Sequence, residues 1–348
     1  MPYDKTIDAH THITGGLSAV AEFLRMQREF GYSASNFLSC ECIPGWKAQN
    51  ALGIYLKHAA PENYVFGGLH HRYAYDYAEE AATLFDMGFD GIKIIDNKPT
   101  VRKALGIPQN DPSYDGFYAY VEKNKRPVLT HVADPEEFWH RDLIPEWGFA
   151  AGYFYGGGGY VDKESLYRET VDVLARFPGV KIILAHLFFM SGDLERLTAL
   201  MEKFPNVCLD IVPGTEMYWN FAKRPDDWRA FFLKYQDRII FGTDNINTDS
   251  DGEMENIKIT NGLATGFLTR QGEVNAWDKH TVGVHLPGEV RAKICGRNFQ
   301  ALAGDSPAPL NYGAASAYLE KRLSDGRYVM EKDERETVAA VLREISAH

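Results

Sequence analysis

Eight short apolar runs recur along the chain, each followed by a stretch of helical character, and this alternation narrows the possible folds more than any other feature. The runs are Thr6–Ile13, Asn36–Ile43, Val65–His70, Gly91–Asp96, Pro127–Val132, Lys181–Leu187, Val207–Val212 and Arg238–Asn245. Several are continuously apolar rather than alternating, as parallel strands covered on both faces must be. Amphipathic helices are expected between them. Tyr77–Met87 is closed by Gly88, Ser165–Phe177 by Pro178-Gly179, and Asp193–Phe204 by Pro205-Asn206, all helix-stop signals. The pattern predicts an α/β fold, a (β/α)8 TIM barrel over residues 1–304. A doubly wound sheet is the alternative, but no GxGxxG follows the first run.

Two segments exceed what a barrel needs. Residues 305–348 hold helical candidates near Gly313–Leu323 and Glu331–Ser346 and are expected to form a C-terminal helical extension, packed on the barrel or on a neighbouring subunit. The segment Ala133–Tyr160 after the fifth run is long, aromatic and carries Gly156–Gly159. Long loops in compact domains are functional or disordered, and Trp139, Trp147, Phe149, Tyr153, Phe154 and Tyr155 argue against disorder.

Composition removes several function classes. Net charge is −11, so counterion release gives no drive toward nucleic acid. No run approaches the ~20 apolar residues of a membrane span, and there is no apolar leader. Four cysteines in 348 residues make no disulfide framework. Cys40 and Cys42 read as buried strand thiols. A cytoplasmic enzyme acting on a small molecule is expected, as a homo-oligomer.

The chemistry collects at strand ends. His10 and His12 close the first strand and, two apart, share a face. Among 11 histidines one HxH pair means little by itself. However, His131 ends the fifth strand, His186 the sixth and Asp244 the eighth, all at the barrel face where active sites are built. Four imidazoles and a carboxylate at one mouth are hard to bury without a cation or a catalytic role. The donor set suits one divalent metal, Zn2+ first, with Mn2+ or Fe2+ also compatible.

This order of residues, with the segments KIILAHL, RIIFGTDN and KICGRNFQALAG, resembles the amidohydrolase superfamily. Within it the chain is similar to the amidohydrolase-related branch that includes aminocarboxymuconate-semialdehyde decarboxylase and its hydrolytic relatives. The resemblance spans about residues 5–304. It implies a single metal held by His10, His12, His131 and Asp244, with His186 left for catalysis or substrate contact. The branch contains both hydrolases and carbon–carbon lyases.

Two reactions follow as expectations. In the leading one Asp244 is the general base of a metal-assisted hydrolysis, and His186 steadies the developing oxyanion. In the other, the same residues perform a non-oxidative decarboxylation of a small aromatic or unsaturated acid. A barrel that binds metal without catalysis is the reading from a different class. Lys93 should point inward, because the outer face of a barrel strand is apolar. It is expected as a free ammonium holding a substrate carboxylate rather than as a carboxylated bridge between two metals. Glu41, inward by the same argument, is either its ion-pair partner or a substrate contact. His71 and Arg72 follow the third strand as further candidates, or belong to a solvated loop. Trp139 is the candidate contact from the aromatic loop, whose glycines suggest a lid. Asp8, which by strand parity shares the face of His10 and His12, either orients a ligand imidazole or satisfies backbone groups beneath the site.

Overall fold

In the computed structural model, which describes residues 5–43, 45–71, 76–214, 216–276 and 279–347, the chain forms a TIM barrel. The strands are β1 (Ile7–His12), β2 (Ala34–Leu38), β3 (Tyr64–Gly68), β4 (Gly91–Asn97), β5 (Val128–Val132), β6 (Ile182–Leu184), β7 (Val207–Asp210), β8 (Ile239–Ile240) and β9 (Asn245–Ile246). All pair in parallel, in the order β8-β7-β6-β5-β4-β3-β2-β1-β9. The predicted eighth strand, Arg238–Asn245, is therefore broken in two. Its first half pairs with β7 and its second half with β1, and bonds from Ala9 N to Phe241 O (3.1 Å) and from Asp244 N to His10 O (2.8 Å) bridge the break. At Gly242 a Cβ would stand 2.7 Å from the His10 Cβ and 2.9 Å from Val212 Cγ2, so only glycine lets strand eight come this close to β1.

Strand faces divide the core in two. Ile92, Ile94, Val128, Ile182, Leu184, Val207 and Leu209 pack outward against helices, whereas Ile7, Ala9, Phe66, Leu129, Ile183, Cys208 and Ile240 fill the barrel with Phe299 among them. This is the two-sided burial that the continuous apolar runs required. The predicted helices form as Tyr77–Asp86, Lys163–Arg176 and Leu194–Lys203. Asp76, Asp162 and Asp193 each accept a hydrogen bond at their N-termini.

In the tail, helices Tyr312–Ser324 and Lys332–Ile345 form and bury Tyr318, Leu319, Val338, Val341 and Ile345. Another feature was not foreseen. After strand eight comes the helix Asp251–Thr269 and an antiparallel hairpin, β10 (Gln271–Ala276) with β11 (Lys279–Val284). Its sequence carries too few apolar residues to register as strands. Among the described residues no helix is long and apolar enough to cross a membrane.

Candidate metal centre

The strand ends that carry the site depart from regular backbone. Past Leu184 the chain leaves β6, short of the Leu187 expected, and four consecutive residues, His186 to Phe189, have φ between 48° and 58°. Left-handed backbone costs a non-glycine residue roughly 1–2 kcal/mol. Here four buried residues adopt it, and the surrounding core must hold them there. Asp244 (φ 60°) and Ala133 (φ 63°) share this conformation. The strain thus gathers where strands five, six and eight release their side chains into the mouth.

His10 and His12 present the same nitrogen. His10 Nδ1 donates to Asp210 Oδ2 at 2.8 Å and His12 Nδ1 to the Leu38 carbonyl at 2.9 Å. A carbonyl or carboxylate only accepts, so Nδ1 carries a proton in both rings and each Nε2 faces the mouth, that of His10 with Lys93 Nζ 3.4 Å away. Both point at one atom, since Asp244 Oδ1 lies 3.3 Å from His10 Nε2 and 3.2 Å from His12 Nε2. His186 completes the group. One ligand atom each from His10, His186 and Asp244 lie within 4.8 Å of one another, and His186 Nε2 is buried with no hydrogen-bond partner.

An unpartnered buried nitrogen is costly; together with two inward-facing imidazole nitrogens and a carboxylate, it is the donor set that a divalent ion satisfies. His131 is placed differently. Its Nε2 donates to Ala133 O at 2.9 Å and lies 3.2 Å from Asp134 Oδ1, which leaves only Nδ1 for a ligand role.

Electrostatics follow from these contacts. Partial removal from water would raise Asp244, but the charge and hydrogen bond of His10, then those of His12, carry it well below the usual carboxylate range. Burial pushes His186 down to about 3, with His131 adding to the effect. Burial would also lower His12, yet the Cys40 sulfur and the Asp244 carboxylate facing it lift it to about 9. Lys93 points inward as expected, its Nζ 3.4 Å from His10 Nε2, and burial lowers its pKa.

These groups open into a cavity of about 620 Å³ walled by Ile43, Trp46, Ile95, Val101, Leu105 and Tyr153 on its apolar side. Several expected contacts fall elsewhere. Glu41 reaches the wall, but because β2 ends at Leu38 its carboxylate turns to Arg322 of the tail at 2.9 Å, not to Lys93. Trp139 is not among the wall residues and packs on Tyr155, with ring centroids 4.8 Å apart; Tyr153 is the loop's wall residue instead.

The loop is tied down rather than hinged. Tyr155 OH donates to Asp134 Oδ2 at 2.6 Å, Lys98 pairs with Asp134 at 2.7 Å, and Gly156 sits where any Cβ would strike the Trp139 carbonyl. His71 lines the cavity and pairs with Asp96 at 3.0 Å. Arg72 lies outside the described residues.

Two residues change their parts. Pairing of β1 with β2 slips by one residue between Asp8 and Thr11. A one-residue slip exchanges faces, so parity counted back from the histidines fails at Asp8. Its carboxylate accepts from Thr243 Oγ1 (2.6 Å), Thr243 N (3.1 Å) and His10 N (3.3 Å), satisfying backbone beneath the site. The carboxylate that orients an imidazole is Asp210, which the sequence reading passed over. Its signal was available, for it ends strand seven as Asp244 ends strand eight.

Solved structures of other proteins share this fold. A TIM-barrel protein from Bordetella bronchiseptica superposes with a TM-score of 0.52 at 15% identity, covering 86% of this chain and 98% of its own. An Acinetobacter baumannii protein described as a probable 2-pyrone-4,6-dicarboxylic acid hydrolase, with citric acid bound, gives 0.50 at 13% identity, covering 86% and 99%. Metarhizium anisopliae IDCase, an isoorotate decarboxylase, gives 0.50 at 14%, covering 86% and 97%. Among curated proteins no sequence matches. The Amidohydrolase family model (Amidohydro_2) matches residues 7–302, which takes in every barrel strand and the whole His/Asp cluster, and the chain belongs to that family.

Proposed function

We propose that this chain is a metal-dependent hydrolase of a small, carboxylate-bearing substrate, a lactone, an amide or a related bond. The observation that carries the reading is the single Asp244 oxygen lying 3.3 and 3.2 Å from the inward nitrogens of His10 and His12. His10, His12 and Asp244 would hold one divalent ion, Zn2+ by donor type. The unpartnered His186 Nε2 is better placed than His131 to add a fourth bond.

When bound, such an ion supplies Lewis acidity that brings the pKa of a coordinated water from about 15.7 toward ~7. Asp244, ionised and with 41% of its side chain open, would take a proton from the attacking water and return it to the leaving group. Lys93 holds the substrate carboxylate by a charge-assisted hydrogen bond. The apolar wall with Trp46 and Tyr153 takes the flat remainder of the molecule.

A second reading, decarboxylation, is favoured by one distance. Lys93 Nζ lies 3.4 Å from His10 Nε2, so a carboxylate held there stands beside the reacting centre rather than remote from it. One of the neighbours is a decarboxylase. Turnover in oxygen-18 water separates the two. Label in the product is expected, whereas unlabelled product with released carbon dioxide overturns the hydrolytic reading. An Asp244→Asn variant that folds and retains full turnover overturns both.

A further inference from the structure

A second set of donors stands apart from the His/Asp cluster, on the β2–β4 side of the same cavity. Cys42, His71 and Asp96 each offer one ligand atom, and the three atoms lie within 4.8 Å of one another. They come from the ends of three neighbouring strands, so the barrel itself brings them together. Cys42 and His71 reach the cavity wall, while Asp96 is buried behind them.

His71 sits between the Asp96 carboxylate and the Tyr114 hydroxyl. Tyr114 OH donates to Asp96 Oδ2 at 2.9 Å. Its hydrogen is thereby used, and it faces His71 Nδ1, 3.4 Å away, as an acceptor. A neutral ring with its proton on Nε2 donates to Asp96 Oδ1, 3.0 Å away, and leaves Nδ1 facing the Tyr114 oxygen. A metal ion in place of that proton joins the same nitrogen and carboxylate.

The ligand set separates these two. A proton needs only the imidazole and the carboxylate, and leaves the Cys42 thiol without a part in the arrangement. Zinc bonds of ~2.0 Å to N and O and ~2.3 Å to S put tetrahedral ligand atoms roughly 3.3–3.6 Å apart. The His71–Asp96 separation of 3.0 Å is close to that already, and the sulfur need move only about an ångström. Burial raises the Cys42 thiol well above its usual range, so it is a poor nucleophile without an ion. A coordinating cation removes its proton outright.

We propose that Cys42, His71 and Asp96 form a separate binding site for a soft-to-borderline divalent cation, Zn2+ in type. On binding, the Cys42 S–H bond is lost, its proton goes to solvent, and a metal–sulfur bond forms with no change of oxidation state. Three protein ligands leave a fourth position open, as in sites that take water or a substrate oxygen. That position faces the cavity shared with the His/Asp cluster.

Cobalt substitution of the full chain tests this independently of the proposed hydrolase. The His/Asp ligands contain no sulfur, so a thiolate-to-cobalt charge-transfer band in the near ultraviolet reports only a cysteine ligand. Metal-stripped protein titrated with Co2+ should develop that band and bind two equivalents in all. Cys42→Ser should lose the band and one equivalent. Asp96→Asn, which keeps the shape of the buried side chain, should weaken band formation at least tenfold. His12→Ala should lose the other equivalent and keep the band. Wild-type protein that takes up cobalt with no thiolate band, or a band that survives Cys42→Ser, overturns the proposal.

Discussion

Asp210 Oδ2 accepts the Nδ1–H of His10 at 2.8 Å while its other oxygen accepts the backbone N–H of His186 at 2.6 Å. One buried carboxylate at the end of β7 thus orients the first imidazole of the cluster and anchors the left-handed turn that delivers the last. Both bonds need an acceptor, and an amide offers only one oxygen. Asp210→Asn should therefore weaken metal retention by about 10–100-fold, the usual effect of losing a carboxylate behind a ligand histidine. Metal analysis after dialysis against a graded chelator checks this, and wild-type retention would refute it.

Asp8 should behave differently. Burial pushes its carboxyl up to about 7 from 3.8, against the hydrogen bonds from Thr243 and His10. The folded state binds this proton more tightly than the unfolded one, so the contribution to stability is full below the unfolded value and is lost as pH rises through about 7. In Asp8→Asn the decline of melting temperature between about pH 4 and 7 should be shallower than in the wild type, with metal content retained. A slope identical to wild type would show that Asp8 is not the titrating group.

What the sequence made legible, and what it did not, divides along a physical line. The strand runs were readable because burial on both faces leaves a continuous apolar trace, as in Ile182–Leu184 and Val207–Asp210. Strand ends were not. Parity puts Asp8 with the histidines only where pairing is unbroken, and a one-residue slip defeats it. Glu41 was placed inward by extending β2 to Ile43, but the strand stops at Leu38 and the carboxylate finds Arg322, which lies 281 positions away in sequence. His186 could be located but its strained turn could not, because positive φ at His-Leu-Phe-Phe is set by tertiary packing rather than by local preference.

His131 and His186 compete for the fourth ligand place. Because His131 Nε2 is taken by the Ala133 carbonyl and Asp134, and His186 Nε2 has no partner, the two alanine variants should separate. His186→Ala should lower affinity at the His/Asp cluster by at least tenfold, while His131→Ala should retain the ion there. The reverse order would return His131 to the ligand set and free His186 for catalysis. A Cys42→Ser background keeps the count to this site alone.

Lys93 decides between one ion and two within the cluster. A free ammonium 3.4 Å from His10 Nε2 repels a second cation, whereas a carboxylated lysine would bridge a pair ~3.5–4 Å apart. In the Cys42→Ser background we expect about one equivalent of metal, unchanged or more tightly held in Lys93→Ala. The same substitution should raise KM for a carboxylate-bearing substrate by roughly 10–150-fold, the ~1.5–3 kcal/mol of a hydrogen bond to a charged group. Two equivalents falling to one on Lys93→Ala would establish the bridged site instead.

The tail reaches this chemistry through Arg322. Its guanidinium donates to Glu41 Oε2 at 2.9 Å, to the Lys47 carbonyl at 2.5 Å and to Tyr318 OH at 3.0 Å, and it packs 4.6 Å from the Tyr328 ring. It holds in place the segment after β2 that carries Cys40, Cys42 and Trp46. Arg322→Ala would strand the fully buried Glu41 carboxylate, a loss that breaking one partner of a buried pair sets at about 3–5 kcal/mol. Removing both charges with Glu41→Gln and Arg322→Met should recover most of that stability, because no buried charge is then left without its partner. Denaturant unfolding of the single and double variants reads this directly. If the tail also aligns the cavity wall, the double variant should regain stability while KM stays raised, since methionine cannot donate to Lys47 O. Full recovery of KM together with stability would confine Arg322 to neutralising Glu41.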